Sequence, residues 1–133
     1  MNNALNLIGR LLIAALFLPA GLAKLSGFDG TVGYIESVGL PLPAVAAAAA
    51  LALEILGSVA LIVGFQTRIV AAVLAMFTLV ASIFFHAFWA AAPEQAFVQQ
   101  LLFFKNIGVI GGLLVLVSSG AGAWSIGAKK AAQ

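Results

Sequence analysis

Arg10, Lys24, Glu54, His86 and Lys105 are the ionisable side chains that stand within or at the edges of long apolar segments, and chemistry has to start from them. Glu54 lies in the stretch LALEILGSVAL (51–61) and is the one charged residue between Leu40 and Phe65. A carboxylate in such surroundings must hold a proton, pair with a cation or be reached by water. His86 is the only histidine. An imidazole can both donate and accept a proton, which suits a proton donor or ligand contact. Alone it cannot complete a three-ligand zinc site or a bis-histidine haem within one chain, so no metal is expected. The absence of cysteine removes thiolate ligands, thiol–disulfide exchange and a cysteine nucleophile.

Two cations are in reach of Glu54 by depth. Lys105 would descend from one side of the bilayer and Arg10 rise from the other; the expected buried pair is Glu54 with Lys105, with Arg10 and Lys24 as supporting charges. A protonated Glu54 bonded to a neighbouring helix is the alternative. Aromatic residues gather around His86 and Lys105, and an interface belt accounts for most of them. Phe85, Phe88, Trp89 and Phe104 would also make apolar walls for a flat ring such as a quinone, with His86 and Lys105 contacting its oxygens. No other cofactor is evident.

The elements that must hold these residues follow from composition. Of 133 residues 64% are hydrophobic and only 8% charged, and mean hydropathy is +1.20. Soluble domains carry about 25% charged residues, so the solvent of this chain is lipid. The prediction is an all-α integral membrane four-helix bundle, one domain over 1–133, with spans near 4–23, 42–64, 67–91 and 97–117 and a tail over 118–133. The short turn GFQT makes spans two and three an antiparallel hairpin. Between spans one and two, Asp29 or Thr31 can cap a short interfacial helix whose apolar side is Val32, Tyr34, Ile35 and Val38. Arg10-LLIAALFL-PAGLA imitates a signal peptide, but its apolar run starts late and it reads as a retained span. Pro19 predicts a kink there.

Helical spacing groups residues into facing stripes: Arg10, Ala14, Phe17, Gly21 and Lys24 on span one; Ala47, Ala50, Glu54, Gly57 and Leu61 on span two. Arg68, Ala71, Ala75, Thr78, Ser82 and His86 form the stripe of span three, and Lys105, Gly108 and Gly112 that of span four. The small residues also make a homodimer conceivable. Arg10, Arg68, Lys129 and Lys130 outnumber Lys24 and Lys105, so the positive-inside rule puts both termini in the cytoplasm of a bacterial inner membrane. Six basic residues spread over four spans form no nucleic-acid patch.

The order of these elements resembles the DoxX family of small bacterial membrane proteins. The matching pieces are Arg10 with its apolar run, FLPAGLAKL (17–25), Phe28, YIESVGLP (34–41), EILG (54–57), GFQTR (64–68), His86 and Lys105-Asn106. They cover nearly the whole chain, about Ile8 to Gly122. The resemblance implies a four-helix membrane protein, in some members a subunit of a thiosulfate:quinone oxidoreductase, in others part of oxidative-stress or sulfur-handling complexes. It maps Arg10, Lys24, Glu54, His86 and Lys105 to polar positions of the family pattern. The expectation is a membrane subunit that offers a quinone or small-molecule site to a protein partner carrying the redox centre. The alternatives are a proton-coupled transporter using Glu54 and a non-catalytic scaffold.

Overall fold

The computed structural model describes residues 2–131, with side chains from Asn2 to Ala128. Lys129 and Lys130, which enter the orientation argument, lie outside the described side chains. Helix α1 spans Asn3–Ser26, α2 Phe28–Ser37, α3 Pro43–Val63, α4 Thr67–Phe85, α5 Pro93–Ser119 and α6 Ile126–Ala131, with a short 3-10 turn at Phe88–Ala90. Four stretches are long and apolar enough to cross a membrane: Asn3–Ser26, Pro43–Val63, Thr67–Ala90 and Pro93–Ser119. The shortest has 21 residues, which at the helical rise is about 32 Å, the thickness of a bilayer core.

Local chemistry sets the boundaries. The Asn2 side chain accepts from the N–H groups of Ala4 (2.9 Å) and Leu5 (3.3 Å), starting α1. Pro43 and Pro93 occupy the first turns of α3 and α5, where a missing N–H breaks no helical bond. α1 runs without interruption through Pro19. Gly64 closes α3 in the left-handed region (φ 74°). A side chain there would collide with Ser125 and come within 2.9 Å of Arg10 Nη1, so both backbone and space demand glycine.

Two differences from the expected spans matter for the site. The third span, Thr67–Ala90, has the expected extent, but its α-helix ends at Phe85 and His86 is the C-cap rather than a helical residue. The fourth begins at Pro93 rather than near residue 97. Pro93 fixes this start, because it can open a helix but not continue one.

α1 packs mainly on α3 and α4 mainly on α5, with α2 lying against α3 and bridging to α1. The core joins Phe17, Leu61, Ala71, Leu74, Ala75, Leu113 and Leu116. Most large apolar side chains instead face outward, among them Leu12, Leu56, Met76 and Val115, as expected of helices solvated by lipid. The buried hydroxyls of Ser58, Thr78 and Ser82 bond to carbonyls one turn back, those of Glu54, Leu74 and Thr78. The stripes read for α1, α3 and α4 follow the buried faces except at Arg68, which is exposed; Lys24, Ala50 and His86 are half-buried, and Asn6, Ser58, Thr67 and Leu74 join the buried set.

The stripe read for α5 is not buried. Lys105 and Gly108 are exposed, and the inner face carries Asn106, Val109, Ile110, Leu113 and Leu116. One residue along a helix is a rotation of about 100°, so the lysine of the Lys105-Asn106 pair points out where the asparagine points in. From residue 107 to 117 α5 is wholly apolar or glycine, and such a helix does not announce its buried side through small residues.

Candidate functional site

Glu54 pairs with Lys24. Lys24 Nζ lies 2.9 Å from Glu54 Oε2 and 3.1 Å from Oε1. The carboxylate side chain is 7% exposed and the lysine 24%. Gly21 makes the pair geometrically available, since a Cβ on it would sit 2.7 Å from Ile55 Cγ1 and 2.9 Å from Glu54 Cβ. α1 and α3 therefore approach closely where Glu54 stands. Side chains lean toward the N-terminus of their helix, so Lys24, one turn beyond Gly21, reaches back to the carboxylate.

This corrects the expected Glu54–Lys105 pair. Lys105 is exposed on α5 and makes no hydrogen bond among the described residues. Its neighbour Asn106 takes the inward position and donates to Ser82 Oγ at 3.0 Å. The Asn106 contact sets Lys105 level with Ser82, three residues before α4 ends, and a lysine near a helix end can extend toward the headgroups.

Arg10 also leaves Glu54 alone. It is fully buried and makes four hydrogen bonds: Nε to Asn6 Oδ1 (2.9 Å), Nη1 to Leu61 O (2.8 Å) and Ile62 O (3.1 Å), and Nη2 to Trp124 O (2.6 Å). Leu61 is seven residues beyond Glu54, about 10 Å along α3. The guanidinium thus caps the C-terminal carbonyls of α3, where the helix dipole favours a cation. It ties down the segment after α5, which Asn6 Nδ2 also holds through Gly120 O (2.8 Å).

A cavity of about 520 Å³ opens beside the Lys24–Glu54 pair. Its polar lining comes from Lys24, Thr31, Tyr34, Glu54, Thr78, His86 and Asn106, and its apolar lining includes Phe17, Ile35, Phe77 and Phe85. α1, α3, α4, α5 and the surface helix α2 all contribute. Tyr34 packs on Phe85 with ring centroids 4.9 Å apart, tying α2 to the end of α4. His86 Nδ1 lies 2.9 Å from Gln99 Oε1, which fixes the ring where α4 has ended. One cation and one anion face each other in the wall, so the cavity carries no net charge from the pair.

Of the residues singled out from sequence, Lys24, Glu54, His86 and Phe85 meet at this cavity, while Arg10 and Lys105 do not. Phe88, Trp89 and Phe104 do not line it either. They form a separate cluster with Phe103, with centroids of Phe88 5.2 Å from Trp89 and 5.8 Å from Phe104. The end of α4 at Phe85 separates them: the chain turns there, and the aromatics beyond it pack on α5. Thr31, Tyr34, Gln99 and Asn106 are the polar residues that the site recruits in their place. Gln99 and Asn106 are seven apart on one helix face, a spacing visible in the sequence.

The comparisons with known proteins fit this architecture. The DoxX family model matches residues 5–87. The chain is 34% identical to inner membrane protein YphA of Escherichia coli K12 over 120 residues, 90% of this chain and 86% of that one. It is 39% identical to inner membrane protein YqjF of the same organism over 123 residues, 90% and 87% of the two chains. A Surfeit locus protein 4 homolog of Schizosaccharomyces pombe aligns at 34% identity over 71 residues, 52% of this chain and 24% of the larger protein. No solved structure matches. With the family model covering most of the chain and two relatives aligned over nearly all of it, this four-helix membrane protein belongs to the DoxX family.

Proposed function

We propose that the protein is the membrane subunit of a redox system, resident in the bacterial inner membrane like its Escherichia coli relatives, and that its cavity takes a lipid-soluble ring of the quinone class. The observation that carries this reading is the cavity itself. About 520 Å³ falls within the roughly 300–1,000 Å³ of small-molecule sites. Aromatic and aliphatic walls suit the ring, and a few convergent polar groups suit its oxygens. A ring carbonyl can accept from Lys24 Nζ, the Tyr34 hydroxyl or the imidazole of His86, all of which line the space. When bound, the quinone supplies the electron chemistry. The chain's own residues bind it, orient it and hold a proton at His86. The electrons come from a partner that carries the redox centre, since no cysteine or histidine pair is present to hold one. The surplus of basic residues at the end where α1 starts and α4 begins supports cytoplasmic termini.

A cation-exchange role at Glu54 draws less support, because Lys24 already occupies both carboxylate oxygens. The test is titration of the purified protein with a short-tailed benzoquinone, followed by quenching of its aromatic fluorescence. His86→Ala should weaken binding about ten-fold, the equivalent of one hydrogen bond. Equal affinity in wild type and variant removes His86 from the site.

A further inference from the structure

A second cavity, of about 440 Å³, opens at the end of the bundle where α1 begins and α5 ends. It lies between the α3–α4 turn, the glycine-containing stretch 120–122 and the start of α6, and shares no lining residue with the Lys24–Glu54 cavity. Among the described residues no carboxylate lines it. Three kinds of donor do. α4, 19 residues long, starts here with no side-chain cap on Gln66 and no acidic residue in its first turn, so its first N–H groups and the positive end of its dipole are uncompensated. Arg68 spends Nη1 on the carbonyls of Val117 (2.9 Å) and Ser118, leaving Nε and Nη2 without a partner among the described residues. Thr67, only 4% exposed, carries the one buried side-chain polar atom among the described residues that has no hydrogen-bond partner. A buried hydroxyl left in this way is destabilising unless something outside the chain satisfies it. Opposite these donors stands Gly120, in the left-handed region (φ 72°). A Cβ there would sit 3.2 Å from Arg68 Nε and narrow the space in front of the guanidinium.

We propose that this cavity binds a phosphate group, presented either by an anionic phospholipid headgroup or by a free phosphorylated solute. The buried Thr67 hydroxyl, the guanidinium of the exposed Arg68 with two unused N–H directions, and an open helix N-terminus suit a tetrahedral oxyanion. The position suits a headgroup, since this end of the four spans is a membrane surface and anionic lipids concentrate basic residues there.

The test uses the full chain, stripped of phospholipid in a maltoside detergent, with thermal stability read against three additives: inorganic phosphate, short-chain phosphatidylglycerol and short-chain diacylglycerol. The expected result is stabilisation by a phosphate-bearing additive and none by diacylglycerol. A response to the lipid alone identifies the headgroup, a response to inorganic phosphate alone identifies the free anion, and a response to both shows that the phosphate itself is read. Arg68→Gln should weaken binding on the order of 100-fold and Thr67→Val about ten-fold, as expected for bonds to a charged ligand. Because Arg68 also holds α5, Thr67→Val is the decisive variant: its hydroxyl makes no bond in the chain, so the unliganded protein should unfold at or above the wild-type temperature. No phosphate-dependent stabilisation, an equal response to diacylglycerol, or an unchanged affinity in Thr67→Val would each overturn the proposal.

Discussion

Replacing Lys24 with methionine removes one charge of the buried pair and leaves the other in place. Glu54 would then sit 7% exposed near the middle of α3 with no cation in contact. Breaking a buried pair from one side typically costs about 3–5 kcal/mol, most of it the penalty of the stranded charge, whereas neutralising both sides together is often close to neutral. The structure therefore predicts that Lys24→Met and Glu54→Gln each destabilise by about 3 kcal/mol or more. The double variant should lie within about 1 kcal/mol of wild type, giving a coupling energy well above the 0.3–0.5 kcal/mol scatter of independent sites. Lys105→Met is the control: an exposed lysine with no partner should change stability by about 0.5 kcal/mol or less, as surface substitutions do. Reversible unfolding in mixed detergent micelles, followed by circular dichroism, measures all four proteins. Additive effects of Lys24→Met and Glu54→Gln would refute the pairing. Coupling of Glu54→Gln to Lys105→Met would restore the pairing that the geometry excludes.

Further outcomes follow from single contacts. Gly21→Val should force α1 away from α3, since its first added carbon already meets Ile55 and Glu54 below 3 Å; a loss of about 1–3 kcal/mol, measured in the same unfolding assay, would mark that approach as close-packed. Arg10→Met should release the segment after Gly120, because bonds from the guanidinium to Trp124 O, Leu61 O and Ile62 O all vanish. Limited proteolysis should then cut beyond residue 120 faster in the variant, and equal rates would show that Arg10 does not fasten that segment. Asn106→Leu should leave Ser82 Oγ without its donor and cost about 1 kcal/mol; an unchanged unfolding midpoint would show that the α4–α5 contact does not depend on it.

The spans, the interfacial helix and three of the four buried stripes were legible because each helix carries its polar or small residues on one side. Arg10, Phe17 and Gly21 on α1, like Glu54, Gly57 and Leu61 on α3, keep helical spacing and proved to be the contact faces. α5 was not legible in that way. Its lysine and glycines suggested a face, yet the one residue separating Lys105 from Asn106 turns the helix by about 100°. The heptad spacing of Gln99, Asn106 and Leu113 held the better signal. The partner of Glu54 was missed for a related reason. Depth along the helices put Lys105 and Arg10 in reach of Glu54 and left Lys24 as a supporting charge, but the partner is decided by the approach of α1 to α3 at Gly21, a tertiary fact. The aromatic walls were half seen: Phe85 lines the cavity, while Phe88, Trp89 and Phe104 lie past the end of α4. Tyr34 was assigned to the membrane surface; its ring packs on Phe85 and lines the cavity.

The central claim is that the space beside Lys24, Glu54 and His86 holds a lipid-soluble ring, and mass spectrometry of what co-purifies with the protein in mild detergent tests it most directly. Wild type should be compared with Ala81→Phe, which fills the cavity without touching a charge. The account predicts a ring compound retained by wild type and absent from Ala81→Phe, with both proteins folded. Phospholipid alone in the wild-type preparation, or a ring compound retained equally by the filled variant, would contradict it.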